Sequence, residues 1–131
     1  MINEDFHSIV ERICLEDGRY KPDAYAFIME ALSYTQKKYK LTTHVSGPQL
    51  LRGVKDLLLE KYGPMAKTLL DHWGISKTDD FGHIVFHLVD NKVLTKTEED
   101  RIDHFRNGYD FKEVFEQGYR KKLAQKISRM R

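Results

Sequence analysis

His83 and His87 stand four residues apart, a spacing that on a helix puts both imidazoles on one face, as two ligands of a single metal ion require. Counting 100° per residue from Phe81, they fall at about 200° and 240°, away from an apolar stripe centred between about 0° and 80°. That geometry predicts accessible histidines rather than core ones. The glutamate of a His-Glu-x-x-His motif is missing, and a third ligand would have to come from Asp79, Asp80, His72 or His104. Two histidines on a polar face arise often by chance. The expectation is therefore no catalytic residue, no cofactor and no bound metal, with His83 and His87 as the metal candidates.

Other reactive residue types have plainer readings. Glu98, Glu99, Asp100 and Asp103 could supply a carboxylate pair or a cation site, but adjacent carboxylates usually point apart and a charged loop is the commoner meaning. Cys14, the single cysteine, falls on an apolar stripe and reads as a small buried hydrophobe. A Gly-x-Ser-x-Gly elbow, a phosphate-binding glycine loop and a dinucleotide fingerprint are all absent from the sequence.

Charge is unevenly spread. The chain carries 22 basic and 20 acidic side chains, yet from Arg120 to Arg131 every charged residue is a cation. Arg120, Lys121, Lys122, Lys126 and Arg129 form a candidate basic contact surface for phosphates or an acidic partner. The plainer reading is a solvated helix end whose cations complement the helix dipole. Lys37, Lys38, Tyr39 and Lys40 interleave a ring with cations, as does the tail after Tyr119, a combination that can stack bases and neutralise phosphates. Tyr25, Tyr34 and Trp73 read equally as core or subunit-interface aromatics with a polar handle.

The elements that must position these residues are mostly helical by period. Asn3 can cap a helix with Phe6, Ile9, Val10, Ile13 and Cys14 on one stripe, ending before Gly18. Pro22 opens a second helix that should stop near Tyr39. Ser46 and Gln49 have capping-box spacing ahead of a third, which runs to Tyr62 and is closed by Gly63. Pro64 starts a short fourth, with Gly74 as its left-handed terminator. Thr78, as hydroxyl cap, begins a fifth through Phe81, Ile84, Val85, Leu88 and Val89. Residues 92–105 alternate well enough for a small β-hairpin, although a one-turn helix from Thr97 fits almost as well. Asp110 and Glu113 repeat the capping-box spacing before a final basic helix over about 111–130, with Leu123 and Ile127 expected to pack inward.

A length of 131 residues with 40% hydrophobic and 32% charged residues predicts one globular domain over 1–131. Disordered and disulfide-built classes are excluded by that composition. No apolar run approaches the roughly 20 residues that cross a bilayer, and residues 1–10 lack a signal-peptide pattern. A cytoplasmic protein with no membrane partner is the expectation.

The segments Ser46–Leu51, Tyr62–Ala66, Trp73–Gly74, Thr78–Gly82 and Asn107–Phe111 together resemble a family of small single-domain bacterial proteins with no assigned function. That resemblance spans about Pro22 to Phe115 and implies no functional residue. Element order also resembles winged-helix domains, in which the helix before the wing reads DNA. Here that helix offers Asp79, Asp80, His83, His87 and Asp90 without a cation, which is wrong for a duplex. The predicted fold is mainly α, a bundle of about six helices with at most one small hairpin. The predicted function is a non-enzymatic interaction module, through protein binding or self-association. The alternative is nucleic-acid or ribosome association through the basic helix, and a metal-dependent enzyme at His83 and His87 comes third. A binding module calls for an exposed apolar patch, a nucleic-acid binder for clustered basic segments, and an enzyme for His and acid groups converging in a pocket.

Overall fold

The computed structural model describes residues 5–41, 44–95 and 102–129, apart from the side chains of Tyr119 and Lys122. Six α-helices follow one another: α1 (Phe6–Glu16), α2 (Pro22–Lys38), α3 (Gly47–Tyr62), α4 (Ala66–Trp73), α5 (Thr78–Asp90) and α6 (Gly118–Arg129). A 3-10 turn, Gly63–Met65, links α3 to α4; another covers Ile102–Phe105, and π-helical turns over Lys112–Gln117 lead into α6. No strand occurs among the described residues. There, too, no helix is long and apolar enough to cross a membrane.

Local chemistry sets most helix ends. The Ser46 hydroxyl accepts from the Gln49 amide at 3.2 Å while Gln49 Oε1 accepts from the Ser46 amide at 2.9 Å, the reciprocal box its spacing predicts. Pro22 occupies the first turn of α2, where its missing N–H is harmless. Gly74 takes φ +86° and ends α4, a conformation that a side chain would strain. Asn3 lies outside the described residues, and Asp5 caps α1 by accepting from the Ser8 amide at 2.8 Å.

α2 and α3 form the central pair, crossing closely where Gly53 meets Thr35; a Cβ at Gly53 would stand 1.7 Å from Thr35 Oγ1. Around them the core gathers Tyr25, Ile28, Val54, Leu58, Leu70, Phe81, Ile84, Leu88 and Phe115. Val10 and Ile13 of the α1 stripe are buried, while Cys14 is only half-buried.

Three expectations need correction. The described parts of 92–105 hold no strand of a hairpin: Ile102–Phe105 is a 3-10 turn, Lys92 adopts φ +63°, and the amides of Val93 and Leu94 donate back to the Leu88 carbonyl at 2.9 and 3.3 Å. This folds the chain over the end of α5 instead of launching a strand, so the winged-helix likeness finds no wing among the described residues; Thr97 lies outside them. Thr78 does not cap α5. Its hydroxyl donates to the Phe105 carbonyl at 2.6 Å and accepts from the Gly108 amide at 2.8 Å, tying the segment after Ile102 to α5. Finally, Leu123 and Ile127 are 42% and 50% exposed rather than packed inward, because α6 runs on beyond its buried root at Phe111 and Phe115.

Candidate functional site

His83 and His87 lie on α5 beneath the short connection from Asp17 to Lys21, and that connection covers the face expected to be open. Tyr20, in the connection, is buried against it and points its hydroxyl between Asp80 Oδ1, at 2.5 Å, and His83 Nδ1, at 3.0 Å. One turn on, the hydroxyl of Tyr25 from α2 lies 2.8 Å from His87 Nδ1, and the other ring nitrogen of His87 lies 3.3 Å from Asp17 Oδ2. The Tyr25 and His87 rings stack with centroids 6.0 Å apart. Arg19 holds Asp17 through donors from Nε and Nη2 at 2.9 to 3.2 Å.

Hydrogen-bonding capacity fixes the proton placements. Asp80 also accepts from the amides of Ser76 and Lys77 at 2.8 and 3.2 Å and from the Ser76 hydroxyl at 3.2 Å. An ionised Asp80 can only accept, so Tyr20 gives it the phenolic proton and His83 Nδ1 donates to Tyr20. Asp17 likewise accepts from His87 Nε2, which leaves Nδ1 of a neutral His87 to accept from Tyr25.

Burial sets the titration behaviour. It pushes the phenols of Tyr20 and Tyr25 far up, with the Asp80 hydrogen bond adding at Tyr20. It also pushes His87 down, partly opposed by Asp17 and reinforced by Arg19 and His83. For Asp80, burial works upward but is outweighed by donors from Tyr20, Ser76 and Lys77, so its carboxyl ends below the ordinary range.

These contacts occupy both histidines within the protein. Among the described residues no group of three or more His, Cys, Asp or Glu is placed to hold a metal ion. Of the proposed third ligands only Asp80 stays near, 3.6 Å from His83 Nδ1, and its oxygens are taken up by Tyr20, Ser76 and Lys77; Asp79 accepts from the Asn107 amide at 3.1 Å, and His72 and His104 are exposed. Glu98, Glu99 and Asp100 lie outside the described residues, and Asp103 pairs with Arg106 at 3.2 Å. A cavity of about 370 Å³ opens between α2, α3 and α5, lined mainly by apolar groups such as Leu32, Val45, Leu50, Val85 and Phe105. Neither His83 nor His87 borders it.

The two basic segments have different surroundings. Lys38 forms an ion pair with Asp56 at 3.0 Å, and the Tyr39 hydroxyl donates to the same carboxylate at 2.6 Å, so these two residues of the cluster serve the contact with α3. Arg120, Lys121, Lys126 and Arg129 are all exposed on α6; the side chain of Lys122 is outside the described set. Leu123 and Ile127, one turn apart, form an apolar stripe, and Arg120 and Lys126 flank it on either side by helical rotation. Sequence reasoning missed the tyrosine partners of the histidines. The available signal was Tyr20 itself, an aromatic in a connection too short to carry it away from the core. Comparison with protein-family models, curated proteins and solved structures returned no match.

Proposed function

We propose that the protein is a cytoplasmic, non-enzymatic interaction module that engages a protein partner through α6. The observation that carries this reading is the exposed pair Leu123 and Ile127 on a helix whose described side chains all face solvent. An amphipathic helix that leaves its apolar stripe open suits a partner's hydrophobic groove, with anchors at i and i+4. Flanking cations favour a groove with an acidic rim, which would speed encounter and fix register. The non-enzymatic part is supported by the histidine and carboxylate contacts on α5, which are made within the protein and away from the apolar cavity. Nucleic-acid association is the second reading, favoured by the exposure of Arg120, Lys121, Lys126 and Arg129 on one helix.

Two variants separate the readings: Leu123→Gln with Ile127→Gln, and Arg120→Gln with Lys126→Gln and Arg129→Gln. Glutamine keeps helix propensity, and the replaced side chains are exposed, so both variants should match wild type in circular dichroism and melting. Immobilised full-length chain should capture a defined protein from native lysate that survives about 0.5 M salt, where surface electrostatics are screened. The apolar variant should lose that protein. Capture unaffected by the apolar variant overturns the reading. RNA or DNA binding that falls steeply with salt and is lost in the cation variant puts the second reading in its place.

A further inference from the structure

Pro48, Leu51, Arg52 and Lys55 recur at i, i+3, i+4 and i+7 along α3 and so share one face. That face forms one wall of a concavity of about 240 Å³, and His104, Gly108 and Tyr109 form the other. The two walls are held at close quarters. A Cβ on Gly47 would stand 2.8 Å from His104 Cβ, and one on Gly108 would stand 2.6 Å from Leu51 Cδ1. The Tyr109 hydroxyl donates to the Leu51 carbonyl at 2.7 Å, which pins the turn at Gly108 to α3. Packing alone therefore builds the concavity, and a ligand would find it already formed.

Its lining holds Arg52, Lys55 and His104 and no carboxylate. Other surface cations are matched: Lys38 with Asp56, Lys61 with Glu30 and Lys67 with Asp71, at 2.7 to 3.0 Å. The side chains of Arg52, Lys55 and His104 make no ion pair or hydrogen bond among the described residues. Neighbouring carboxylates are already engaged, Asp56 by Lys38 and Tyr39 and Asp103 by Arg106. Over residues 1–119 acidic side chains outnumber basic ones, so three unmatched basic groups around one concavity are not what an even scatter of charge would leave. We propose that this concavity is an anion site for the terminal phosphoryl group of a small phosphate monoester. Arg52 brings a planar fork that fits two phosphate oxygens, Lys55 a point charge and His104 a ring N–H. Pro48, Leu51 and the Tyr109 ring supply apolar flanks that concentrate the field of the cations. A volume below the usual range for drug-sized ligands suits a phosphoryl group with a short organic remainder. A nucleic-acid strand would need a track of cations, whereas this face of α3 continues with Leu59.

Full-length protein is titrated with phenyl phosphate at fixed ionic strength and followed by the NMR shifts of its backbone amides. Saturable shifts should centre on Arg52, Lys55, His104, Gly108 and Tyr109 with a Kd of about 1 mM, and inorganic phosphate should compete. Arg52→Gln with Lys55→Gln keeps helix propensity and should bind about tenfold more weakly, the loss expected from charge-assisted hydrogen bonds. Arg120→Gln with Lys126→Gln and Arg129→Gln removes more charge, from α6, and should bind as wild type does. Shifts that never saturate or that scatter over the surface, a double variant that binds as wild type, or an α6 variant that loses binding each overturn the proposal. So does a single-stranded oligonucleotide without a terminal phosphate that binds these residues more tightly than phenyl phosphate. Should the double variant fail to fold, Arg52→Gln alone, at an exposed position, decides the matter, and unchanged affinity in it refutes the site.

Discussion

Replacing Asp80 tests how the contacts between α5 and the Asp17–Lys21 connection hold together. Its carboxylate receives the Tyr20 phenol, the Ser76 and Lys77 amides and the Ser76 hydroxyl, at 2.5 to 3.2 Å. Asp80→Asn keeps one acceptor oxygen and exchanges the other for a donor. With the oxygen toward Ser76 and Lys77, the new amide faces Tyr20, whose hydroxyl must then accept. Its phenolic proton still has an outlet, because His83 Nδ1 lies 3.0 Å away and can switch tautomer to receive it. The loss is therefore the difference between charge-assisted and neutral hydrogen bonds, about 2 kcal/mol in total. Asp80→Ala removes both oxygens. Ser76 and Lys77 are exposed residues whose amides regain water, so the loss is about 3 kcal/mol and not the larger figure that adding four ionic bonds would give. Urea unfolding followed by Trp73 fluorescence should show lowered midpoints with an unchanged slope. The pH dependence has a definite sign. The folded carboxyl lies below the ordinary value of 3.8, so its contribution is complete above that value and is lost as pH falls through the folded value. The gap between wild type and Asp80→Asn should be constant from about pH 7 to about pH 5 and close below about pH 4. A variant within about 0.5 kcal/mol of wild type at neutral pH, or a gap undiminished in acid, refutes the assignment of Asp80 as a charged acceptor.

Gly53→Ala should destabilise by about 2 kcal/mol despite a helix-propensity gain of about 1 kcal/mol, because the new Cβ meets Thr35 at Oγ1, Cβ and Cγ2. Urea melts of the single variants and of the double with Thr35→Ala should show favourable coupling between the two changes; a stabilised Gly53→Ala would contradict the close crossing. Thr78→Val keeps the shape but leaves the Phe105 carbonyl and the Gly108 amide without their shared partner. It should cost about 2 to 4 kcal/mol by calorimetry, and a neutral result would mean the hydroxyl does not pin the segment.

Helix ends were legible because their causes are local. Ser46 with Gln49, Pro22 and Gly74 each act within one turn, and a linear pattern contains everything they need. The site was not legible in the same way, because its contacts join residues 60 and 63 apart, in Tyr20 to Asp80 and Tyr20 to His83. Helical rotation correctly put His83 and His87 off the apolar stripe, yet a polar face is a solvent face only if nothing lies over it. Thr78 misled for a related reason. Its hydroxyl could cap α5 at no distance, but the incoming Phe105 carbonyl and Gly108 amide offered an acceptor and a donor at once, the first of them buried.

Phe105 also explains how α6 can project and still keep a definite direction. A Cβ on Gly82 of α5 would stand 2.8 to 2.9 Å from the Phe105 side chain, so only glycine lets the segment after Ile102 seat its ring there. From that anchor the chain continues into an aromatic cluster in which Phe111 meets Phe81, Phe115 and Tyr109 with centroids 5.4 to 6.2 Å apart. The Tyr109 hydroxyl donates to the Leu51 carbonyl of α3 at 2.7 Å. Phe115, 1% exposed, is the last of these anchors, and α6 begins within three residues of it. A twelve-residue helix is marginal when isolated in water, but one continuing from turns already fixed by buried rings avoids the nucleation step. The aromatic root therefore holds Leu123 and Ile127 on a pre-formed helix before any partner arrives, and a partner meets less ordering entropy than it would with a free tail. On this argument, loosening the root with Phe115→Ala should weaken docking through α6 even though Phe115 itself lies in the core.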